Sequence, residues 1–478
     1  MGVNFFETLE HRAARIKSHL CVGIDPHPEF VSKAEQLLSW CLELAEATAP
    51  VALCFKVNIA FFEAFGAPGI SVLEQLIPAL KAHAPLILDA KRGDIGSTAA
   101  AYAAAVHDRW SVEALTVNPY LGLDGIEPYL RYPQAGLFVL CHTSNPSAAS
   151  LQTHRDLGGE MLYEKVLSMV DQHPERDRMG LVVGATQAEA LFRVRKRSQD
   201  IWLLCPGVGA QGGDLRTLIR AGWGSDGHLL ISSSRSIARA TSPASAAREL
   251  RDQIRAEADQ LTALHQEEDE AIYDQLARVL LEADCVLFGQ FKLKSGLTSP
   301  IYIDLRRLTG HPNALKVVLD AYLLKFKSIS RSRRFDALAG LPLAGLPLAT
   351  GLSLYAQLPL CYPRPPKSHG TRSSVEGGVQ EGSHLLMVDD LATRGVSALD
   401  ALTHLRADHE NARHCVHDLL VLIDRQSGAE EVLADAGVTL HSVITLSRLI
   451  ERWRHLQLVP EADLEATLRF ISESEDKI

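Results

Sequence analysis

The stretch PLILDAKRGDI, residues 85–95, decides the architecture. It begins as unbroken apolar chain and turns charged at Asp89 and Lys91. A strand buried on both faces reads that way, whereas a half-buried strand alternates. Asp89 and Lys91 are two apart, so both point to one side of the sheet. Working outward, seven more runs share this form: LCVGID (20–25), VALCFKVN (51–58), ALTVNPY (114–120), LFVLCHTSN (137–145), MGLVVGA (179–185), IWLLCPGV (201–208) and HLLISSSR (228–235). Helix-like stretches separate them. Eight strands, each followed by a helical segment, predict a closed (β/α)₈ barrel, a TIM barrel of α/β class. The polar residues fall at the C-terminal ends of the strands, the face that carries chemistry in such barrels.

After Ala240 the character changes to a long, charged, helical stretch without strand-like runs. The expected organisation is a barrel over 1–241, a helical linker over 242–270 and a second domain over 271–478. The second domain has strand candidates at 337–343, 358–363, 384–390, 418–424 and 439–445. Helical stretches separate them, which predicts an open α/β sheet.

Composition narrows the function classes. The 478 residues are 46% hydrophobic and 22% charged, ordinary for a globular protein with two full cores. A net charge of −10 argues against a nucleic-acid partner but permits local anion sites. The clusters Arg193/Arg195/Lys196/Arg197 and Arg331/Arg333/Arg334 read most simply as solvated surface. Eight scattered cysteines without a Cys-x-x-Cys pair suggest a reducing, cytoplasmic setting with neither disulfide framework nor zinc site. His414 and His417 lack further nearby ligands for a metal. No apolar run reaches the length of a membrane span, and the first residues lack a secretory core. Neither a myristoylation pattern at Gly2 nor a peroxisomal C-terminal tripeptide is present.

Lys56 ends the second run, Asp89 and Lys91 end the third, and Asp94 and Thr98 follow in the next loop. Four charges of alternating sign are thus expected at the barrel mouth, in barrel only, with no metal assigned there. They form either a structural ion-pair lattice or an interlocked catalytic network, since a buried charge must be paired. After strand seven, PGVGAQGGD (206–214) offers backbone N–H groups to an anion, and after strand eight SSSR ends in Arg235. Loops seven and eight hold phosphate in many barrels.

At this point the chain resembles a family. DAKRGDI (89–95) matches the Asp-x-Lys-x-x-Asp signature of orotidine 5′-phosphate decarboxylases, and CVGIDP, FKVN, VNPYLG, HTSNP and PGVGAQGGD occur in that family's order. The resemblance implies that Lys56, Asp89, Lys91 and Asp94 are the catalytic charges. It implies that Asp94 and Thr98 serve the partner subunit's site, so that a dimer is required. It also implies that Asp25 meets the ribose, Ser144 the pyrimidine, and Gln211, Gly212 and Arg235 the phosphate. Ser234 departs from the glycine common before the arginine. Decarboxylation at pyrimidine C6 leaves a carbanion with no adjacent electron sink. With no cofactor, an ammonium beside the carbon stabilises that charge and then donates the proton. Lys91 is the candidate, held and polarised by Asp89 and Asp94. A metal-dependent sugar-phosphate lyase sharing the signature is a rival, opposed by Lys56, Ser144 and Arg235 together.

In the second domain, LLMVDDLATRGVSALDAL (385–402) reads as strand, acidic pair, small-residue loop and helix. Asp389 and Asp390 suit ribose hydroxyls, directly or through Mg²⁺. Thr393, Gly395 and Ser397 open a helix whose N–H groups suit a 5′-phosphate, or simply cap it. FGQFKLKSGLTSPIYIDLR (288–306) and RPPKSHGT (364–371) add cations for a departing pyrophosphate, among them Lys294, Arg364, Lys367 and His369. These segments and LIDRQSG (422–428) resemble orotate phosphoribosyltransferases of type I. That resemblance implies Mg²⁺, phosphoribosyl pyrophosphate (PRPP), Arg425 with Lys294 near the orotate, and Lys367 and His369 on a loop shared across a dimer. Pro363-Arg364 replaces the usual Arg-Lys, and Arg394 stands where Ser or Thr is usual.

Jointly the resemblances imply a bifunctional uridine 5′-monophosphate (UMP) synthase, a homodimer or homotetramer acting on orotate, PRPP and orotidine 5′-phosphate. The alternative is an active barrel fused to a domain that senses PRPP without catalysis.

Overall fold

The computed structural model describes residues 3–208, 214–224, 227–292, 298–330, 333–364, 375–380, 382–406 and 414–475, with side chains to 472. It divides into two units, Met1–Ala263 and Leu264–Ile478.

In the first unit all eight expected strands form: β1 (Leu20–Gly23), β2 (Cys54–Asn58), β3 (Leu86–Arg92), β4 (Ala114–Val117), β5 (Gly136–His142), β6 (Met179–Val183), β7 (Leu203–Pro206) and β8 (Leu229–Ser233). They close in sequence order, β8 pairing back onto β1. The unbroken apolar runs follow from burial on both faces. Outward residues such as Phe55, Leu88 and Leu115 pack under the helices. Inward residues such as Cys54, Ile87, Ala114 and Leu230 fill the barrel. One inward step further along the same strands come Lys56, Asp89, Thr116 and Ser232. The interior therefore changes from apolar to polar between two adjacent layers, which fixes where the site lies.

The opposite end of the barrel is plugged by helix Phe5–Ile16, whose Phe5, Phe6 and Leu9 join Phe138 and Trp202 in the interior core. Asn4 caps this helix, accepting from the Phe6 and Glu7 N–H groups, while Glu7 reaches back to the Asn4 N–H. That capping box is a signal written in the sequence as Asn-x-x-Glu.

One helix, Pro243–Glu282, covers the stretch expected to be a linker and continues beyond it. Ala247 and Ile254 belong to the barrel unit's core, and Leu276, Ala277 and Leu280 to that of the second unit.

The second unit begins with an antiparallel pair, β9 (Val286–Lys292) and β10 (Thr298–Ile303), which is not among the strand candidates. Aromatic and β-branched residues in both runs are the strand signal. The main sheet contains β11 (Ala337–Gly340), β12 (Leu360–Pro363), β13 (Val375–Glu376), β14 (His384–Ala392), β15 (Cys415–Asp424) and β16 (Thr439–Thr445). Their order is β13-β12-β11-β14-β15-β16, parallel except for β13. Alternate residues of β14 and β15 face two cores, Leu386, Val388 and Leu420 on one side and Leu385, Met387 and Leu419 on the other. Chain order reverses direction between β11 and β14. Ligands of open α/β sheets bind beyond the strand carboxyl ends at such a point.

The described cysteines are all free. Among the described residues no helix is long and apolar enough to cross a membrane.

Candidate active sites

A cavity of about 900 Å³ opens at the C-terminal ends of the barrel strands. At one end Asp89 is pinned from three sides. Lys56 Nζ donates to its Oδ2 at 3.1 Å, Lys91 Nζ to its Oδ1 at 2.6 Å, and the Thr116 hydroxyl to the same Oδ1 at 2.9 Å. Asp25 stands 4.0 Å from Lys56 and accepts the Asn58 N–H at 3.1 Å. Burial opposes ionisation of Asp89, but the two ammonium groups outweigh it and hold the carboxyl well below the usual range. Burial likewise opposes charge on Lys56, and Asp25 and Asp89 overcome it, raising the ammonium above its ordinary value. Lys56 and Asp89 thus hold each other in the charged form.

Lys91 reaches this position through an irregular backbone. The β3–β4 register shifts between Leu88 and Arg92, and Lys91 has φ of +48°. That region costs a non-glycine residue about 1–2 kcal/mol. The Lys91 N–H donates to Thr116 Oγ1 at 2.9 Å.

Across the cavity lie Ser144, Ser232, Ser233, Ser234 and Arg235. Among the described residues Arg235 forms no ion pair, so its guanidinium is available to an anion. Ser234 fits because position 23 is glycine: a Cβ there would lie 2.6 Å from the Ser234 Cβ. Gln211 and Gly212, expected at the same end, lie outside the described residues.

Asp94 and Thr98 do not join the network within this chain. Asp94 accepts the Ile95 N–H at 2.7 Å, Thr98 is exposed, and neither lines the cavity. The expected four-charge array is therefore Asp25, Lys56, Asp89 and Lys91 here. Asp25, expected at the ribose, lines the cavity and also joins the ion network, a part the sequence did not suggest. Sequence reading missed Thr116, whose one signal is a hydroxyl in the apolar run ALTV.

In the second unit Asp389 and Asp390 lie toward the C-terminal end of β14, which continues two residues past them to Ala392, and both are half-buried. Burial, then repulsion from Asp390, holds Asp389 above the usual carboxylate range, and burial raises Asp390 as well. Neither has an ion-pair partner among the described residues. The Tyr322 hydroxyl, which sequence reading missed, donates to the Asp389 carbonyl at 2.5 Å. Thr393 and Ser397 are exposed, and Gly395 takes φ of +72° immediately before helix Val396–Arg406. Arg394 is exposed. Arg425 follows β15; its buried Nε has no partner, and burial lowers its pKa.

Arg364 is engaged otherwise, in an ion pair with Glu376 at 2.5 Å. Pro363 beside it ends β12, where a missing N–H costs little. Lys294, Lys367 and His369 lie outside the described residues. A separate cavity of about 840 Å³ sits at the opposite, N-terminal ends of β14–β16, around the Arg333–Asp418–His441 ion pairs. It is remote along the strands from the acidic pair.

Comparison with known proteins agrees with this division. Residues 18–250 match the family model described as orotidine 5′-phosphate decarboxylase / HUMPS family. A bifunctional enzyme PyrF/PyrE from a Nostoc species is 32% identical over 465 residues, covering 93% of this chain and 95% of the relative. An orotidine 5′-phosphate decarboxylase from a Roseiflexus species is 47% identical over 268 residues, covering 53% of this chain and 98% of the relative. The solved structure of Leishmania donovani UMP synthase is 38% identical, with 99% of this chain and 100% of that chain covered and a TM-score of 0.52. The chain belongs to the bifunctional PyrF/PyrE enzymes, and its first half to the orotidine 5′-phosphate decarboxylase / HUMPS family.

Proposed function

We propose that this chain makes UMP from orotate in two consecutive steps, phosphoribosyl transfer in the second unit and decarboxylation in the barrel. The observation that carries it is the Lys56–Asp89–Lys91 array sharing one cavity with Arg235, which forms no ion pair among the described residues.

In the barrel, Arg235 grips the 5′-phosphate, aided by Gln211 and Gly212, while Asp25 meets the ribose and Ser144 the pyrimidine. The substrate carboxylate then lies beside Asp89. The C6–CO₂ bond breaks, CO₂ leaves, and the electron pair stays on C6. Lys91 stabilises that pair and gives C6 its proton. The neutral amine left behind is reprotonated from solvent. Because Asp89 already carries two ammonium partners, the positive charge is in place before reaction and requires little reorganisation. Asp94 and Thr98, remote from this chain's own network, serve the site of a second subunit.

In the second unit, Asp389 and Asp390 face the ribose of PRPP. Two half-buried carboxylates without an ion-pair partner among the described residues fit a divalent cation, so Mg²⁺ bound with PRPP would match this donor set. When bound, the ion neutralises pyrophosphate as the C1′ bond breaks. Thr393, Gly395 and Ser397 hold the 5′-phosphate at the helix start, and Arg425, with an unpartnered buried Nε, pairs with the orotate carboxylate. Lys294, Arg364, Lys367 and His369 complete the set by resemblance. For Arg364 this requires exchange of Glu376 for pyrophosphate.

The test is to supply orotate, PRPP and Mg²⁺ and follow pyrimidine absorbance. Formation of UMP through transient orotidylate is expected. Consumption of added orotidylate without consumption of orotate would reduce the second unit to a PRPP-binding module.

A further inference from the structure

We infer that Thr116 is a positioning residue for decarboxylation, fixing Lys91 through both its main chain and its side-chain partner. The inference rests on the barrel chemistry proposed above. Thr116 is 2% exposed, lines the cavity from β4, and projects inward beside Asp89. Its hydroxyl makes two bonds in opposite senses. It accepts the Lys91 N–H at 2.9 Å and donates its proton to Asp89 Oδ1 at 2.9 Å.

Both bonds compensate for a specific local problem. The register shift between Leu88 and Arg92 takes Lys91 out of regular pairing with β4, leaving a main-chain donor in need of an acceptor. An unmet donor there would be costly, and Thr116 meets it. Lys91 is also held at positive φ, a backbone state that persists only when its surroundings enforce it. Meanwhile Asp89 Oδ1 is the same oxygen that Lys91 Nζ contacts at 2.6 Å. One hydroxyl thus ties the Lys91 backbone to the carboxylate that aims the Lys91 ammonium. Valine matches threonine in shape but supplies neither bond. Serine supplies both.

The experiment compares Thr116→Val and Thr116→Ser in the full chain, measuring decarboxylation of orotidine 5′-phosphate, the transferase reaction, and Tm. A misplaced ammonium lowers transition-state stabilisation more than ground-state binding. The expected result for Thr116→Val is a kcat roughly 10–100-fold lower, with KM within about threefold. The transferase rate is expected to stay unchanged, and Thr116→Ser to recover kcat to within about threefold of wild type. A Val variant with wild-type kcat, a loss confined to KM, or a Ser variant as impaired as Val would each overturn the assignment. If the Val variant does not fold, Thr116→Ala against Thr116→Ser decides by the same criteria. A wild-type chain that does not decarboxylate orotidylate refutes the barrel reading itself, an outcome separable from wild-type activity that is merely insensitive to position 116.

Discussion

The two units carry acidic residues at equivalent places, the carboxyl ends of parallel strands, yet in opposite electrostatic states. Asp89 is surrounded by Lys56, Lys91 and Thr116 and is held well below its ordinary pKa. Asp389 is half-buried, has Asp390 as its charged neighbour, and is held above its ordinary pKa. Burial acts in the same direction on both, so the difference is counter-charge. The barrel brings its own cations and is organised before substrate arrives. The second unit leaves charge unmatched, a state that a cation-bearing ligand relieves.

The comparison is broken most decisively at Lys91. In Lys91→Ala, decarboxylase kcat/KM is expected to fall by about 10⁴-fold or more, combining a lost proton donor with lost charge stabilisation. Transferase activity should persist. A decarboxylase near wild type would remove the role assigned to Lys91.

Removal of the central carboxylate sharpens the contrast through stability. Asp89→Asn leaves the buried Lys56 ammonium underpaired, at about 3–5 kcal/mol, and the half-exposed Lys91 ammonium without its ion partner at much smaller cost. Because the folded-state pKa of Asp89 is depressed, its contribution is complete above the ordinary carboxylate pKa and is lost as pH falls through the folded value. The Tm gap between wild type and Asp89→Asn should therefore be constant from about pH 5 to 8 and close below about pH 4. A gap that widened in acid would contradict the pairing.

At the other end of the cavity, Arg235→Ala removes a charge-assisted phosphate contact of about 1.5–3 kcal/mol. The KM for orotidylate should rise roughly 10–100-fold, with a smaller change for a nucleoside substrate lacking phosphate. Equal losses for both would detach Arg235 from the phosphate.

The smallest effect has the opposite sign. The folded-state pKa of Asp389 is raised, so its contribution is complete below the ordinary pKa and is lost as pH rises through the folded value. In ligand-free protein at pH 8, Asp389→Asn should raise the second unit's Tm by a few degrees, corresponding to about 1 kcal/mol. The gain should shrink toward pH 4, and Mg²⁺ with PRPP should reverse it. Calorimetry over pH 4–8 checks this; a variant less stable at every pH would mean that Asp389 is already compensated.

Residue patterns alone determined much of this protein. Unbroken apolar runs specified eight doubly buried strands, because such runs cannot sit at a half-exposed surface. The switch to Lys56, Asp89 and Lys91 at strand ends located the cavity rim, since side-chain period fixes which residues face inward. The sequence DDLATRG foretold an acidic pair toward a strand's C-terminal end and a helix opening just after it.

Tertiary structure decided which charges meet. Asp25 enters the network because β1 and β2 are neighbours, and Thr116 because β4 lies beside a register shift in β3. Asp94 stays outside although it is only three residues from Lys91, because the chain leaves the strand there and enters a loop. Likewise Arg364, read as an anion ligand, meets Glu376 through the β12–β13 pairing. Local sequence fixes the direction of a side chain along its own element. The partner it finds depends on register between elements far apart in sequence, and that is settled only when the sheets close.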